Sequence, residues 1–240
     1  MLTSPPLMTS LPAGYSALVV GANGAIGAAL VRALQADAQC ARVIGLSRRS
    51  DPPLDLTDEA SIAAVAQDLR GQAPIHLLIC ATGALQIDRR PPEKRLAELD
   101  PTAMARAFTI NAVGPALFIK HLHALLPLKE RALLAVLSAR VGSIGDNRLG
   151  GWYSYRASKA ALNMLLRTAA IEVARQRPLA VLAALHPGTV RSALSAPFVS
   201  DAKATPPDEA ARNLLRVLDD LPAEGASGGF HAWDGTAVPW

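Results

Sequence analysis

Cysteine is almost missing from this chain, with two residues, Cys40 and Cys80, in 240. Neither belongs to a CxxC or Cys/His spacing, so metal and thiol-redox motifs are excluded and no metal ligand is expected. Charge is sparse at 18% and half the residues are apolar, which excludes a disordered chain. The net charge of +4 is small for the length and is spread out. Its densest cluster, RRPPEKR at 89–95, is broken by prolines and Glu93 and reads as a solvated loop. There is no sustained basic face and no alternation of basic and aromatic residues, so nucleic acid is not an expected partner. No apolar run reaches about 18 residues uninterrupted, so no membrane span is expected either. The first residues, MLTSPPLMTSLPAG, carry no basic region and place prolines where a signal's apolar core belongs. The expectation is a soluble cytoplasmic protein with residues 1–14 as a loose leader.

What is present alternates regularly. Apolar strand-like runs, SALVVG (16–21), ARVIGLS (41–47), PIHLLICA (74–81), RALLAVLSA (131–139) and PLAVLAALHPG (178–188), are separated by helical patterns. Those helices are expected at 27–37, from an N-cap at Thr57 to Gly71, at 101–126 as one long piece, at 153–176 and at 206–220. Nearly continuous apolar strands between helices indicate a parallel sheet covered on both faces. The fold class is therefore α/β, a doubly wound Rossmann-type sheet, and residues 1–240 form a single domain.

The first strand ends in a turn, VVGANGAIGAAL, with Gly21, Gly24 and Gly27 between strand and helix. Glycines there allow a tight turn and bring backbone N–H groups close to a pyrophosphate at the helix N-terminus, which makes Asn23, Ala25 and Ile26 candidates as well. About twenty residues on, an NAD site usually offers a carboxylate to the ribose 2′-hydroxyl. This chain offers Ser47, Arg48 and Arg49, and guanidinium groups suit a 2′-phosphate. NADP, as NADPH, is the expected cofactor, ahead of NAD.

Tyrosine and lysine are also scarce: three tyrosines, and five lysines against nineteen arginines. Yet GGWYSYRASKAALNML (150–165) sets Tyr155 and Lys159 one helical turn apart, with Tyr153 two residues upstream. Taken in chain order, these features resemble the short-chain dehydrogenase/reductase family over essentially the whole chain. Asp55 in LDLTD, beside Leu56, matches the family's adenine-contacting acid. CATG (80–83), with Ala81, Thr82 and Gly83, stands at its Asn-Asn-Ala-Gly turn. NAVGP matches the helix asparagine at Asn111, YRASK the Tyr-x-x-x-Lys, and HPGTVRS the Pro-Gly segment with Pro187, Gly188, Val190 and Ser192. Within the family the run GSIGDNRLGGWYSYRASKAALN and the closing WDGTAVPW look most like the sniffer and C-factor carbonyl-reductase branch.

The resemblance implies a catalytic set. A carbonyl accepting a hydride needs an acid beside its oxygen, and free tyrosine, with a pKa near 10, is a slow one at neutral pH. A lysine at i+4 shares its helix face. At about 4 Å and an effective dielectric of about 20 its charge would lower that pKa by up to about three. Tyr153, on another face, suits a pocket wall or the core. The resemblance also implies that Lys159 bonds the nicotinamide ribose and that Asn111 holds a proton-relaying water. The family's catalytic serine falls at Ala139 by direct alignment. Ser143, in a loop longer than usual, is the favoured replacement, Ser138 the second choice, and no serine at all the third. The expected activity is NADPH-dependent reduction of a small carbonyl compound to an alcohol by a homodimer or homotetramer. The alternative is an NADP-binding signalling protein with little catalysis. A serine hydrolase finds no nucleophile elbow between strand and helix, and His186 precedes a Pro-Gly turn. The substrate pocket is expected from 189–205, with Trp152, Tyr153 and Phe198 as walls.

Overall fold

The protein is seen here as a computed structural model that describes residues 6–240. Its six strands are β1 (Tyr15–Val20), β2 (Cys40–Leu46), β3 (Leu77–Cys80), β4 (Ala132–Leu137), β5 (Ala180–His186) and β6 (Gly229–Ala232). They form one sheet in the order β2-β1-β3-β4-β5-β6, and every neighbouring pair is parallel. The chain steps outward from β1 to β2 and then returns past β1 to β3. That reversal opens a crevice at the carboxyl ends of β1 and β3, where open α/β sheets bind ligands.

Alternation along each strand feeds two cores. Leu18, Val20, Leu78 and Cys80 point to one face, covered by α2 (Glu59–Leu69), α4 (Gly114–Leu122) and α5 (Tyr153–Ala174). Ala17, Val19, Leu77 and Ile79 point to the other, covered by α1 (Ala25–Gln35) and α6 (Pro207–Asp220). Central strands are therefore buried on both sides, and truncating one of their leucines would cost about 2–5 kcal/mol. The last strand, β6, lies in the GGFHAW stretch that the strand pattern had left unassigned.

Two helices differ from expectation. Helix α2 is capped by Asp58, whose side chain accepts the Ala60 N–H, while Thr57 donates its N–H and hydroxyl to Asp55. The long helix at 101–126 is broken: α3 (Pro101–Phe108) and α4 are joined by a π-helical turn at Thr109–Val113. Pro115 explains the break, because it has no N–H to give the Asn111 carbonyl four residues back. By length and apolarity Pro101–Leu125 could cross a membrane, with a mean hydropathy of 1.2, but Phe118, Ile119 and Leu122 sit in the sheet-facing core.

The leader is anchored from Leu7 onward, whereas a loose segment was expected. The N–H groups of Leu7 and Met8 donate to Asp37, as does the Tyr15 hydroxyl, and Thr9 and Ser10 donate to Asp219. Met8 and Leu11 extend the core shared with α1 and α6, which is the burial that a polar-looking stretch concealed. Residues 1–5 of that leader lie outside the described residues.

Candidate active site

The glycine turn is shaped by contact. Gly21 adopts φ +90°, and a Cβ on it would come within 2.8 Å of the Ala81 carbonyl oxygen; one on Gly27 would fall 2.1 Å from the Gly21 oxygen. Gly24 closes the turn by donating its N–H to Gly21 at 2.9 Å. It is also the N-cap of α1, which has no side-chain cap and no acidic residue in its first turn. The first N–H groups of α1, at Ala25 and Ile26, are thus left facing the crevice with the positive end of the helix dipole. This glycine cradle fits a nucleotide pyrophosphate by both shape and charge.

Asn23 ties the turn to the end of β2 by donating to the Ser47 hydroxyl at 2.9 Å. Ser47 also accepts the Arg49 N–H, and Arg48 and Arg49 are both exposed. Asp55 is held below the usual carboxylate range, first by the Thr57 N–H and with help from the Arg48 charge. Leu56 is buried, and its carbonyl presses on Gly114, where a Cβ would come within 2.7 Å.

A cleft of ≈ 580 Å³ runs from Gly24, Ala25 and Ile26 across the sheet edge. Its walls include Ala81, Thr82 and Gly83 after β3, then Tyr155 and Lys159 on α5. Pro187, Gly188, Val190 and Ser192 close it beyond β5. Lys159 is fully buried, and its Nζ donates to the Leu137 carbonyl at 2.8 Å. A Cβ on Gly83 would lie 3.3 Å from that Nζ and 3.5 Å from Asn111 Oδ1, so the three residues form one cluster. Asn111 stands behind Gly83: its amide pairs with both backbone groups of Ala84 at 2.8 Å each and donates to Ser158. The π-helical turn puts it there.

The electrostatics differ from the Coulomb argument. Burial pushes the Tyr155 hydroxyl up to about 12, and burial draws Lys159 down to about 8. The ammonium is turned toward Leu137, and no lowering of the tyrosine by its charge is seen. The site therefore holds a tyrosine that keeps its proton at neutral pH. His186, also on the cleft wall, is pushed down to about 4 by burial, with the Arg140 charge adding to the effect, and its Nδ1 has no hydrogen-bond partner among the described residues.

The serine candidates separate. Ser143 is buried off the cleft wall, and its hydroxyl accepts the Asp146 N–H at 3.1 Å, a turn contact. Ser138 does line the cleft, but it donates to Asn163 at 2.6 Å. Ala139 lies between Ser138 and Arg140 on the wall and brings only a methyl group. The longer loop has thus used its serine to close itself. Among the expected walls, Trp152 and Phe198 line the cleft and meet edge-on at 5.4 Å, while Tyr153 does not line it. The expected 189–205 segment supplies Thr189, Ala193, Leu194, Ser195 and Val199 as further wall residues, whereas Arg140 and His186 line the cleft without having been expected there, although the Pro-Gly turn beside His186 is a usable signal.

The short chain dehydrogenase family model matches residues 15–203. The chain is 43% identical over 148 residues to the C-signal of Myxococcus xanthus, covering 60% of this chain and 83% of that protein. It is 32% identical over 191 residues to the 1-hydroxy-2-glutathionyl-2-methyl-3-butene dehydrogenase of Rhodococcus sp. (strain AD45), covering 79% and 80% respectively. Among solved structures, the NADPH-bound carbonyl reductase from chicken fatty liver superposes with a TM-score of 0.83 at 28% identity, covering 97% of this chain and 96% of that one.

Proposed function

The chain belongs to the short chain dehydrogenase family, an NAD(P)-dependent oxidoreductase family, and from that premise we propose that it reduces a carbonyl compound to an alcohol with NADPH. The observation that carries this reading is the shared cleft: the uncapped N-terminus of α1, Gly83, Tyr155 and Lys159 open onto one cavity. NADPH, when bound, supplies the hydride. Gly21, Gly24 and Gly27, with the backbone of Asn23, Ala25 and Ile26, hold its pyrophosphate. Ser47, Arg48 and Arg49 take the 2′-phosphate, and Asp55 and Leu56 border the adenine. Ala81, Thr82, Gly83 and Lys159 take the nicotinamide ribose, with Pro187, Gly188, Val190 and Ser192 on the far side.

Tyr155 donates its proton to the carbonyl oxygen as alkoxide character develops. A hydroxyl raised to about 12 holds its proton at neutral pH but gives it up reluctantly, so the reading requires the Lys159 charge to act on the developing alkoxide for the transfer to be fast. Lys159 places a positive charge on the same helix face, and in this reading Asn111, which lies behind Gly83 off the cleft wall with its amide protons given to Ala84 and Ser158, takes part in a water relay only through an oxygen. Ala139 offers no hydroxyl, so the tyrosine acts without a serine partner. NADPH consumption with a panel of aldehydes and quinones tests the reading; saturable oxidation of NADPH by at least one of them is expected.

A second reading has its own support in Ala139 and in the similarity to the C-signal: an NADP-binding signalling protein with little turnover. Tight NADPH binding with no oxidation across the panel would select it. We also assign the outer face of α5, where Met164, Leu165 and Ile171 are exposed, and Val113 on the π-turn to a homodimer or homotetramer contact. Light scattering should exceed the 25.1 kDa of one chain, and a monomer at micromolar concentration would refute this.

A further inference from the structure

The loop at 89–95, charged and proline-broken, contributes nothing to the cleft wall, yet its one inward carboxylate reaches the helix that carries Tyr155. Helix α5 starts at Tyr153, and its N-cap is Trp152, which has no side chain able to cap it. The chain enters that helix through three consecutive left-handed residues, Gly150 (φ +63°), Gly151 (φ +64°) and Trp152 (φ +54°). Glycine accepts that conformation, but tryptophan is strained in it and needs its surroundings to hold it there.

Glu93 supplies much of that hold. Its backbone carbonyl accepts the Trp152 N–H, and its carboxylate accepts both the N–H and the hydroxyl of Ser154, the second residue of the helix. Arg156 holds the same turn from the other side, donating to Gly151 O at 2.9 Å and Gly150 O at 3.2 Å. A carboxylate at a helix N-terminus also meets the positive end of the dipole. The loop borders Tyr155 too: Pro92, Glu93, Ser154 and Tyr155 line a small cavity of ≈ 50 Å³ that shares Leu85 and Tyr155 with the main cleft. Trp152, so fixed, sets its ring edge against Tyr155 at 6.3 Å and against Phe198 at 5.4 Å. It links the catalytic helix to the 189–205 segment over the cleft.

We propose that Glu93 is a positioning residue: it caps α5 from outside the helix and thereby fixes Trp152 as the wall that orients substrate at Tyr155. The inference rests on the carbonyl-reductase reading. Nothing in the cap touches the α1 N-terminus or the end of β2, and Lys159, the cofactor contact on α5, is held a turn further on by the Leu137 carbonyl, so NADPH affinity should not depend on the cap. A misplacement of about 1 Å at a reacting centre costs up to about a hundredfold in rate.

The test uses the full chain, NADPH, and one aryl aldehyde or ortho-quinone that the wild-type protein reduces. Glu93→Ala is expected to lower kcat by about tenfold or more, with the NADPH dissociation constant unchanged. Glu93→Gln, which can still accept from the Ser154 N–H and pair with its hydroxyl, should restore most of the rate. Ser154→Ala, a milder lesion, should lower kcat severalfold and serves where Glu93→Ala does not fold. Wild-type kcat in both Glu93→Ala and Ser154→Ala, with Tyr155→Phe inactive, would overturn the inference and leave the reductase reading standing. Parallel loss of NADPH affinity and melting temperature, not restored by glutamine, would reduce Glu93 to a fold residue and also overturn it. Undiminished turnover in Tyr155→Phe would overturn the reading and the inference together.

Discussion

The carboxyl end of β2, which lies off the cleft wall, and the α5 side of the cleft handle charge in opposite ways. At the β2 end, Arg48 and Arg49 are exposed, and Asp55, which feels the Arg48 charge, is occupied with the Thr57 turn. Charges in water cost the fold almost nothing and add little until a phosphate arrives to pair with them. At the α5 end, Lys159 is fully buried against a backbone carbonyl and Tyr155 carries a raised pKa. Desolvating that ammonium costs stability, and in return a charge in a dry site acts strongly on a developing alkoxide. Affinity is placed where it is cheap to keep; reactivity is placed where the fold must work to keep it.

Removing the acid probes the buried end first. Tyr155→Phe should lower kcat by about 10²–10⁴, the usual contribution of a positioned acid, while NADPH still binds. Single-turnover NADPH oxidation and fluorescence titration on the same sample check both halves, and substantial residual turnover would refute the assignment. Lys159→Met sharpens the contrast, because it should lower activity about a hundredfold or more yet stabilise the protein. The lysine falls from 10.5 to about 8 on folding, a penalty of about 3 kcal/mol. Below about pH 8 both states are protonated and the folded one carries the full cost. As pH rises toward 10.5 the folded state loses its proton first, and the cost fades. After the lost bond to Leu137 is allowed for, the methionine variant should gain about 1–3 kcal/mol at pH 7, shrinking as pH climbs. Reductase activity of the wild-type protein should likewise decline as pH rises through about 8, where the ammonium is lost. Melting curves of both proteins from pH 7 to 10 decide the point; a destabilised methionine variant would contradict it.

At the exposed end the effects are smaller and selective. Arg48→Ala should weaken NADPH binding about ten- to hundredfold, equivalent to a charge-assisted hydrogen bond of about 1.5–3 kcal/mol. NADH, which lacks the 2′-phosphate, should bind almost unchanged, and Arg49→Ala should shift the same ratio less. Titration of both cofactors into each variant reads this out. Equal weakening for both, or a wild-type preference for NADH, would show the arginines to be a solvated strand end.

What could be read from the chain divides along a similar line. The strand and helix order, the glycine turn and the Tyr155–Lys159 spacing are local patterns, and the parallel sheet realises them with shifted edges. Pro115 was a legible signal for the π-turn, yet an apolar helix pattern masked it. Other features depend on residues far apart in sequence. Met8 and Leu11 join the core where Asp37 receives the N–H of Met8 itself and Asp219 that of Ser10. Glu93 looked solvated because Ser154 lies 61 residues away. Ser143 is favoured in sequence because its loop is longer than usual, while its hydroxyl is spent on Asp146. Tyrosine acidity was estimated from spacing alone, and burial outweighed it.

The smallest expected effect is also the sharpest control on the buried end. Tyr153 and Tyr155 lie in the same first turn of α5, carry the same hydroxyl and differ by two positions. Two positions on a helix turn a side chain through roughly 200°, so they cannot face the same way. Tyr155 lines the cleft and Tyr153 does not. A comparison of the two phenylalanine variants therefore holds composition, helix propensity and the lost hydroxyl constant and changes only direction. Tyr153→Phe should keep kcat, substrate KM and NADPH affinity within about twofold, the range of substitutions away from special features, about ±0.5 kcal/mol. Steady-state kinetics on the pair measures it. A large fall in kcat for Tyr153→Phe would mean that the acid is chosen by something other than helix face, and the contrast between the β2 end and the α5 side of the cleft would lose its catalytic half.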